Sequence, residues 1–159
     1  MKLLYLADRQ ALASFARSIS GDRMVSMPHG PVLSQTLELA NGEFESIAGG
    51  WEEWLCDRAG YQIGLKTGVD VNRDSLDRIS DAEFAILNQV QDQFGHLHHY
   101  ALRDYTHEHC PEWENPHGSM IPIRLERVLE VVGRSPEEIA AISRQAKEDR
   151  DLDRVFASL

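Results

Sequence analysis

The chain has 159 residues, 42% of them hydrophobic and 26% charged, which is the composition of a globular protein large enough for one domain with one core. A chain with this much apolar material is not expected to be disordered. Twenty-six acidic against sixteen basic side chains give a formal charge of -10, which repels phosphate groups and argues against direct binding to nucleic acid or to an anionic membrane.

The N-terminal part is predicted to hold a helix, a strand and a second helix. Apolar residues recur at intervals of three and four over residues 3–19, with Gly21 as a stop, and predict the first helix. Residues 23–27 alternate before a proline and predict one brief strand. Pro31 is expected to begin a short second helix that ends at Gly42, because proline suits the first helical turn.

The middle of the chain is predicted to form a β-hairpin followed by a helix. Residues 51–58 and 61–66 have aromatic and β-branched content and flank the two-residue separation Ala59-Gly60, which is the spacing of a hairpin. Ser80 and Glu83 form a capping-box pattern, and the apolar stripe behind them predicts a helix.

The C-terminal part is predicted to be helical with one ordered loop. Residues 98–106 predict a short helix, and residues 107–121 predict the loop. Pro122 is expected to open a further helix that stops at Gly133, and Ser135 is expected to cap the last one. Together the elements predict a mainly α fold with a small β-hairpin or sheet, in the α+β class, as a compact single domain of about six helices.

The cysteines and the apolar runs indicate a cellular location. Cys56 and Cys110 lie far apart in the sequence, so neither a disulfide framework nor a redox pair is indicated. No apolar run has the length of a membrane-spanning helix, and charged residues interrupt the one near the N-terminus. The sequence therefore predicts a cytoplasmic protein that does not contact a membrane.

The strongest sign of a metal site is a group of histidines that crowd together with a cysteine: His96, His98, His99, His107, His109 and Cys110. Only His96 with His99, and His107 with Cys110, have helical ligand spacing, so no metal or cofactor is expected. The zinc-protease motif fails because Pro111 stands where its second histidine would be, and phosphate-binding glycine loops and a serine elbow are missing as well. No catalytic residue is assigned, and a metal-dependent enzyme built on the histidine cluster stays an alternative.

Asp8 and two tryptophans, Trp51 and Trp54, are residues that packing in an apolar core does not fully explain. Asp8 lies close to the apolar stripe of the first helix, where an unpaired charge is costly, so it is expected to accept hydrogen bonds from the backbone or from an arginine. Trp51 and Trp54 on one strand would point to opposite faces. One of the two rings is therefore expected to be partly exposed, as a candidate contact for a partner.

Four short segments follow one another along the chain: Lys2-Leu3-Leu4-Tyr5-Leu6-Ala7-Asp8, then Gly21-Asp22, then His29-Gly30-Pro31-Val32, and later Leu102 with Thr106-His107 and Trp113. In this order, over about residues 2–115, they resemble the Panacea domain family, which includes the SocA-like antitoxins. The most specific piece is the first segment followed by Gly30-Pro31-Val32.

The resemblance implies an antitoxin of a bacterial or phage toxin–antitoxin system, which neutralises a cognate toxin protein by direct binding and needs no catalytic residue. It implies an antitoxin domain over residues 1–121, with residues 122–159 as C-terminal helices that either pack on the domain or are specific to the partner. The candidates for fold-defining or partner-binding residues are Asp8, Asp22, His29, Gly30, Pro31, Val32, His107 and Trp113, together with Trp51 and Trp54.

Two further expectations follow from the family. Some relatives resemble proteolytic adaptors, in which case the charged tail after Ala146 would be recognised when a toxin is delivered to a protease. Family members also commonly carry another helix ahead of the segment that begins at Lys2. The first helix is therefore expected to have an uncovered face, which a partner or a second copy of the chain would close.

Overall fold

The computed structural model of the chain describes residues 1–43, 50–56 and 62–156. Within these ranges the fold is mainly α-helical with a small three-stranded antiparallel sheet, which confirms the predicted α+β class. Seven helices lie in the described residues, close to the number predicted. The elements in chain order are α1 Lys2–Phe15, β1 Met24–Met27, β2 Gly30–Leu33, α2 Ser34–Ala40, α3 Trp51–Trp54, α4 Asp81–Phe94, α5 His99–His109, β3 Ile121–Pro122, α6 Leu125–Val131 and α7 Pro136–Phe156.

Helix α1 is the central element, and its apolar stripe forms much of the core. Tyr5 and Leu12 are fully buried, and the helix packs against α4, α5, α6 and β2. The helix ends at Phe15, where Ala16 adopts the left-handed conformation with φ 62°. The predicted extension to residue 19 is wrong, because the backbone N–H of Ile19 folds back to the side chain of Asp8 instead of continuing the helix.

The predicted strand is confirmed, but it forms a hairpin that the sequence did not indicate. Strand β1 pairs antiparallel with β2, in a register that places Met24 opposite Leu33, and β3 pairs with the other side of β1. The predicted start of the second helix at Pro31 is therefore wrong, since α2 begins three residues later, but the helix itself is confirmed and ends at Ala40. Proline is tolerated here because β2 is an edge strand, so the missing N–H interrupts no second ladder.

The hairpin predicted over residues 51–66 is confirmed only in part. Leu55 pairs antiparallel with Leu65, and the N–H groups of Cys56 and Lys66 donate to the carbonyls of Gly64 and Trp54, but the predicted strand does not begin at Trp51. Residues Trp51–Trp54 form the short helix α3. The predicted turn Ala59-Gly60 lies outside the described residues. Both tryptophans are half-buried. The expectation that they point to opposite faces fails, because residues three apart share one face of a helix.

The remaining boundaries show which local signals were reliable. The capping box at Ser80 is confirmed, and so is the cap at Ser135, whose side chain accepts a hydrogen bond from the N–H of Glu138. Helix α5 continues to His109, so the loop predicted over 107–121 begins inside a helix. Pro122 lies in β3 and does not open a helix, because residues 121–122 pair with β1 before α6 begins.

The core joins the N-terminal and C-terminal parts of the chain. Val128 and Leu129 of α6 are fully buried in the same cluster as Tyr5 and Leu12 of α1. Ile139 of α7 packs at the edge of that cluster. Among the helices of the described residues, none is long and apolar enough to cross a membrane.

Candidate functional site

Asp8 holds the loop that follows α1. Its side chain is 1% exposed and accepts hydrogen bonds from the N–H of Ile19 at 2.8 Å, from the N–H of Ser20 at 2.9 Å and from the Ser20 hydroxyl. Burial raises the pKa of Asp8, and these hydrogen bonds partly offset the rise because they favour the charged form. The prediction that Asp8 accepts backbone hydrogen bonds is confirmed.

Asp22 acts as a distant cap for α2. Its carboxylate accepts hydrogen bonds from the N–H of Gln35 at 2.9 Å and from both the N–H and the hydroxyl of Thr36 at 2.8 Å. The first N–H groups of a helix have no partner within the helix, and a negative charge is favourable at that end. Asp22, which lies just before β1, therefore holds the start of the β1–β2 hairpin against the N-terminus of α2.

Gly30 lies where the hairpin, α1 and α5 come into contact. It has φ +108°, and a Cβ atom built on it would lie 2.7 Å from Thr106 Oγ1 and 3.0 Å from Lys2 Nζ. A side chain fits neither that backbone conformation nor that space. Pro31 and Val32, the next two motif residues, are buried in β2. The Gly-Pro-Val motif is thus explained by close packing.

His107 and Trp113 form a stacked pair beside this contact. Their rings are 3.9 Å apart and inclined by 11°. The Trp113 Nε1–H donates a hydrogen bond of 2.9 Å to the Met27 carbonyl, which ties the pair to the hairpin. His107 Nε2 is buried and has no hydrogen-bond partner among the described residues. His29 is exposed in the turn of the same hairpin.

Four basic side chains from three parts of the chain lie near enough here to influence one another electrostatically: Lys2, His29, Arg103 and His107, which we name the basic cluster. Burial, followed by the charge of Arg103, lowers the pKa of Lys2 to about 8. Burial also lowers the pKa of His107, and the charges of Lys2, Arg103 and His29 lower it further, whereas Asp104 acts in the opposite direction. A chain with a net charge of -10 therefore places the positive charges of Lys2 and Arg103 close together, beside two imidazole rings.

A buried carboxylate that the sequence did not single out is bound to two side chains of α1. Glu112 is 3% exposed, and its Oε1 accepts hydrogen bonds of 2.6 Å from the Tyr5 hydroxyl and of 2.6 Å from Arg9 Nε. Burial and Glu112 raise the pKa of Tyr5. Glu112 and its partners are about a hundred residues apart in the sequence, so no local pattern could have indicated the network.

The other candidates do not join the basic cluster. Trp51 and Trp54 lie in α3, which packs extensively against none of the other described helices and strands. Among the histidines predicted as a group, His98 and His99 contact each other and His109 contacts Tyr105. In the described part of the chain, no three His, Cys, Asp or Glu side chains are grouped so that they could hold a metal ion.

Cys110 is a packed thiol. It is buried, and burial together with the nearby Glu112 raises its pKa to about 12. The thiolate is the nucleophilic form of cysteine, and it is scarce at neutral pH when the pKa is that high. The arrangement therefore disfavours a Cys–His nucleophile at this position.

Comparison with known proteins identifies the family. A sequence profile described as antitoxin SocA-like, Panacea domain, matches residues 1–114, which run from α1 through α5 to Glu114. Comparisons with curated proteins and with solved structures found no match. The profile covers well over half of the chain and includes Asp8, Asp22 and Gly30. The chain therefore belongs to the family of SocA-like antitoxins that carry the Panacea domain.

Proposed function

We propose that this protein is the antitoxin of a toxin–antitoxin pair and neutralises its cognate toxin by direct binding. The observation that carries the proposal is the match of the antitoxin family over residues 1–114. Binding of this kind requires a stable framework with a presented surface, and no covalent chemistry.

The roles of the motif residues support a binding protein over an enzyme. Asp8 and Asp22 are used to hold the loop after α1 and the start of α2, and Gly30 permits close packing. A general acid or base must instead be within hydrogen-bond reach of a reacting group. Asp8, Asp22 and Gly30 thus build the scaffold, and the specificity for a toxin belongs to side chains at its surface.

The overall charge supports a role in finding the partner. A net charge of -10 attracts proteins with positive surfaces and speeds their encounter, although it need not supply most of the affinity. Toxins that act on RNA or nucleotides have positive clefts that fit this field. We place the encounter in the cytoplasm of a bacterium or of a phage-infected cell.

The test is growth rescue by co-expression. The gene adjacent to this one is expressed alone, together with this chain, and together with a version of this chain that carries an early stop codon. Toxicity that disappears only with the intact chain, and a complex that elutes as one species, support the proposal. Unchanged toxicity with the intact chain contradicts it for that pair.

The same assay separates direct binding from delivery to a protease. Rescue is repeated in a host that lacks its main ATP-dependent proteases, and with a chain truncated after Ala146. Direct neutralisation predicts rescue in that host and survival of rescue after truncation. Rescue that requires the proteases and the tail would assign the protein to the adaptors instead.

A further inference from the structure

The basic cluster lies beside one face of α5, where His29 is exposed and Lys2, Arg103 and His107 are half-buried. Arg103 and His107 are four residues apart and lie on the same side of the helix. Lys2 of α1 and His29 of the hairpin turn flank them. Tyr100, one turn earlier, is 58% exposed, and the Arg103 guanidinium lies 5.2 Å from its ring. Tyr, Trp and Arg are the residue types that most often anchor protein interfaces.

The Lys2 ammonium is not compensated within the described part of the chain. The ion pairs found there do not include Lys2, and Asp104, the residue next to Arg103 on α5, is engaged by Arg103 at 2.6 Å. The groups that influence Lys2 electrostatically are Arg103 and the thiol of Cys110. A partly buried cation without a counter-charge is unfavourable, so an anion at this position would be stabilised.

The imidazole ring beside Lys2 is held in place before any ligand arrives. The His107 ring is stacked on Trp113, which is itself fixed by its hydrogen bond to the Met27 carbonyl. His107 Nε2 is buried without a partner among the described residues. A side chain that is already fixed loses little conformational freedom when a ligand binds against it.

We propose that the basic cluster receives a carboxylate side chain of the toxin, which pairs with the Lys2 ammonium and lies against His107. This inference rests on the proposed function, because the carboxylate belongs to the partner that the antitoxin binds. The occupant is a single negative charge and not a polyanion, because the rest of the chain is strongly acidic and repels nucleic acid and anionic membranes.

The direct test compares two lysine variants in the complex with the toxin. Lys2→Met keeps the length of the side chain and removes its charge, and Lys147→Met makes the same change at an exposed position on α7. We expect Lys2→Met to raise the Kd of the complex by about thirtyfold or more, because a buried charge pair loses one partner. Lys147→Met is expected to leave the Kd within about twofold.

A stability measurement separates a role in binding from a role in folding. If the Lys2 charge is uncompensated in the free protein, Lys2→Met leaves the melting temperature of the free antitoxin unchanged or raises it while it weakens the complex. A variant that melts well below the wild type and binds normally once folded would show that Lys2 is a structural residue and would overturn the inference.

The partner's carboxylate is then located by substitution. Each exposed Asp or Glu of the toxin is changed to Asn or Gln and measured against wild-type antitoxin and Lys2→Met. One substitution is expected to weaken the wild-type complex strongly and the Lys2→Met complex little, since paired charges are not additive. Additive effects at every position would contradict the inference while leaving the antitoxin function intact. Failure of the wild-type chain to bind or rescue would contradict the proposed function itself.

Discussion

Replacement of Gly30 by alanine tests the contact around which the hairpin, α1 and α5 are assembled. Gly30 has φ +108°, a conformation that side chains rarely adopt, and we expect this strain to cost about 1–3 kcal/mol. The new Cβ would also lie 2.7 Å from Thr106 Oγ1. Thr106 is fully buried and its hydroxyl donates to the Arg103 carbonyl at 2.8 Å, so it cannot move away without losing that bond. We expect the overpacking to add about 1–3 kcal/mol.

Gly133→Ala is the matched control for the strain. Gly133 has φ +87°, but a Cβ atom there would meet nothing within 4 Å. The control is therefore destabilised by backbone strain alone. The additional loss of unfolding free energy in Gly30→Ala measures the cost of the contact with Thr106. Urea denaturation followed by circular dichroism gives both values. With a slope of about 2 kcal/mol per molar, an excess of about 2 kcal/mol lowers the midpoint by about 1 M.

A double-mutant cycle with Thr106→Ala checks the assignment. Removal of the hydroxyl relieves the contact with the new Cβ, so the double variant with Gly30→Ala should lose less than the sum of the two single losses. Gly30→Ala that is no less stable than Gly133→Ala, or a cycle that is strictly additive, would refute the reasoning.

Three further changes have outcomes that follow from local contacts. Ser80→Ala removes the capping box with Glu83 and should lower the free energy of unfolding by about 0.5–2 kcal/mol, as measured by urea titration. Burial raises the pKa of Asp8 above its usual 3.8, so the folded state binds this proton more readily than the unfolded state. The stability of the wild type relative to Asp8→Asn should therefore rise as the pH falls through the raised pKa. A difference in melting temperature that stays constant across this pH range would contradict the prediction. The thiol of Cys56 is exposed and should be alkylated rapidly at neutral pH, whereas Cys110 should react only when the protein unfolds, as followed by mass spectrometry.

Short-range signals accounted for the parts of the fold that were predicted correctly. The capping boxes at Ser80 and Ser135 involve groups three residues apart, and the apolar stripe of α1 is a property of one helix. Such features need no knowledge of the rest of the chain. The same holds for Asp8, since a carboxylate beside an apolar stripe must find donors wherever the chain goes next.

Signals that fit two structures were decided by tertiary contacts. Pro31 is compatible with the first turn of a helix and with an edge strand, and pairing with β1 selected the strand. Pro122 is likewise compatible with a helix start and with a strand, and pairing with Val25 selected the strand. The aromatic pattern at Trp51 predicts a strand, whereas residues 51–54 form a helix. Over four residues the two structures cannot be told apart by periodicity.

The sequence by itself determined a folded, acidic, mainly α-helical protein with the motif of an antitoxin family, because composition, helix periodicity, caps and motif order are all properties of neighbouring residues. The tertiary structure alone decided that Lys2 and Thr106 come together at Gly30, and that Glu112 pairs with Tyr5 and Arg9. The physical reason is that these contacts join residues far apart in the chain. Their energies depend on burial and distance, which no local pattern specifies.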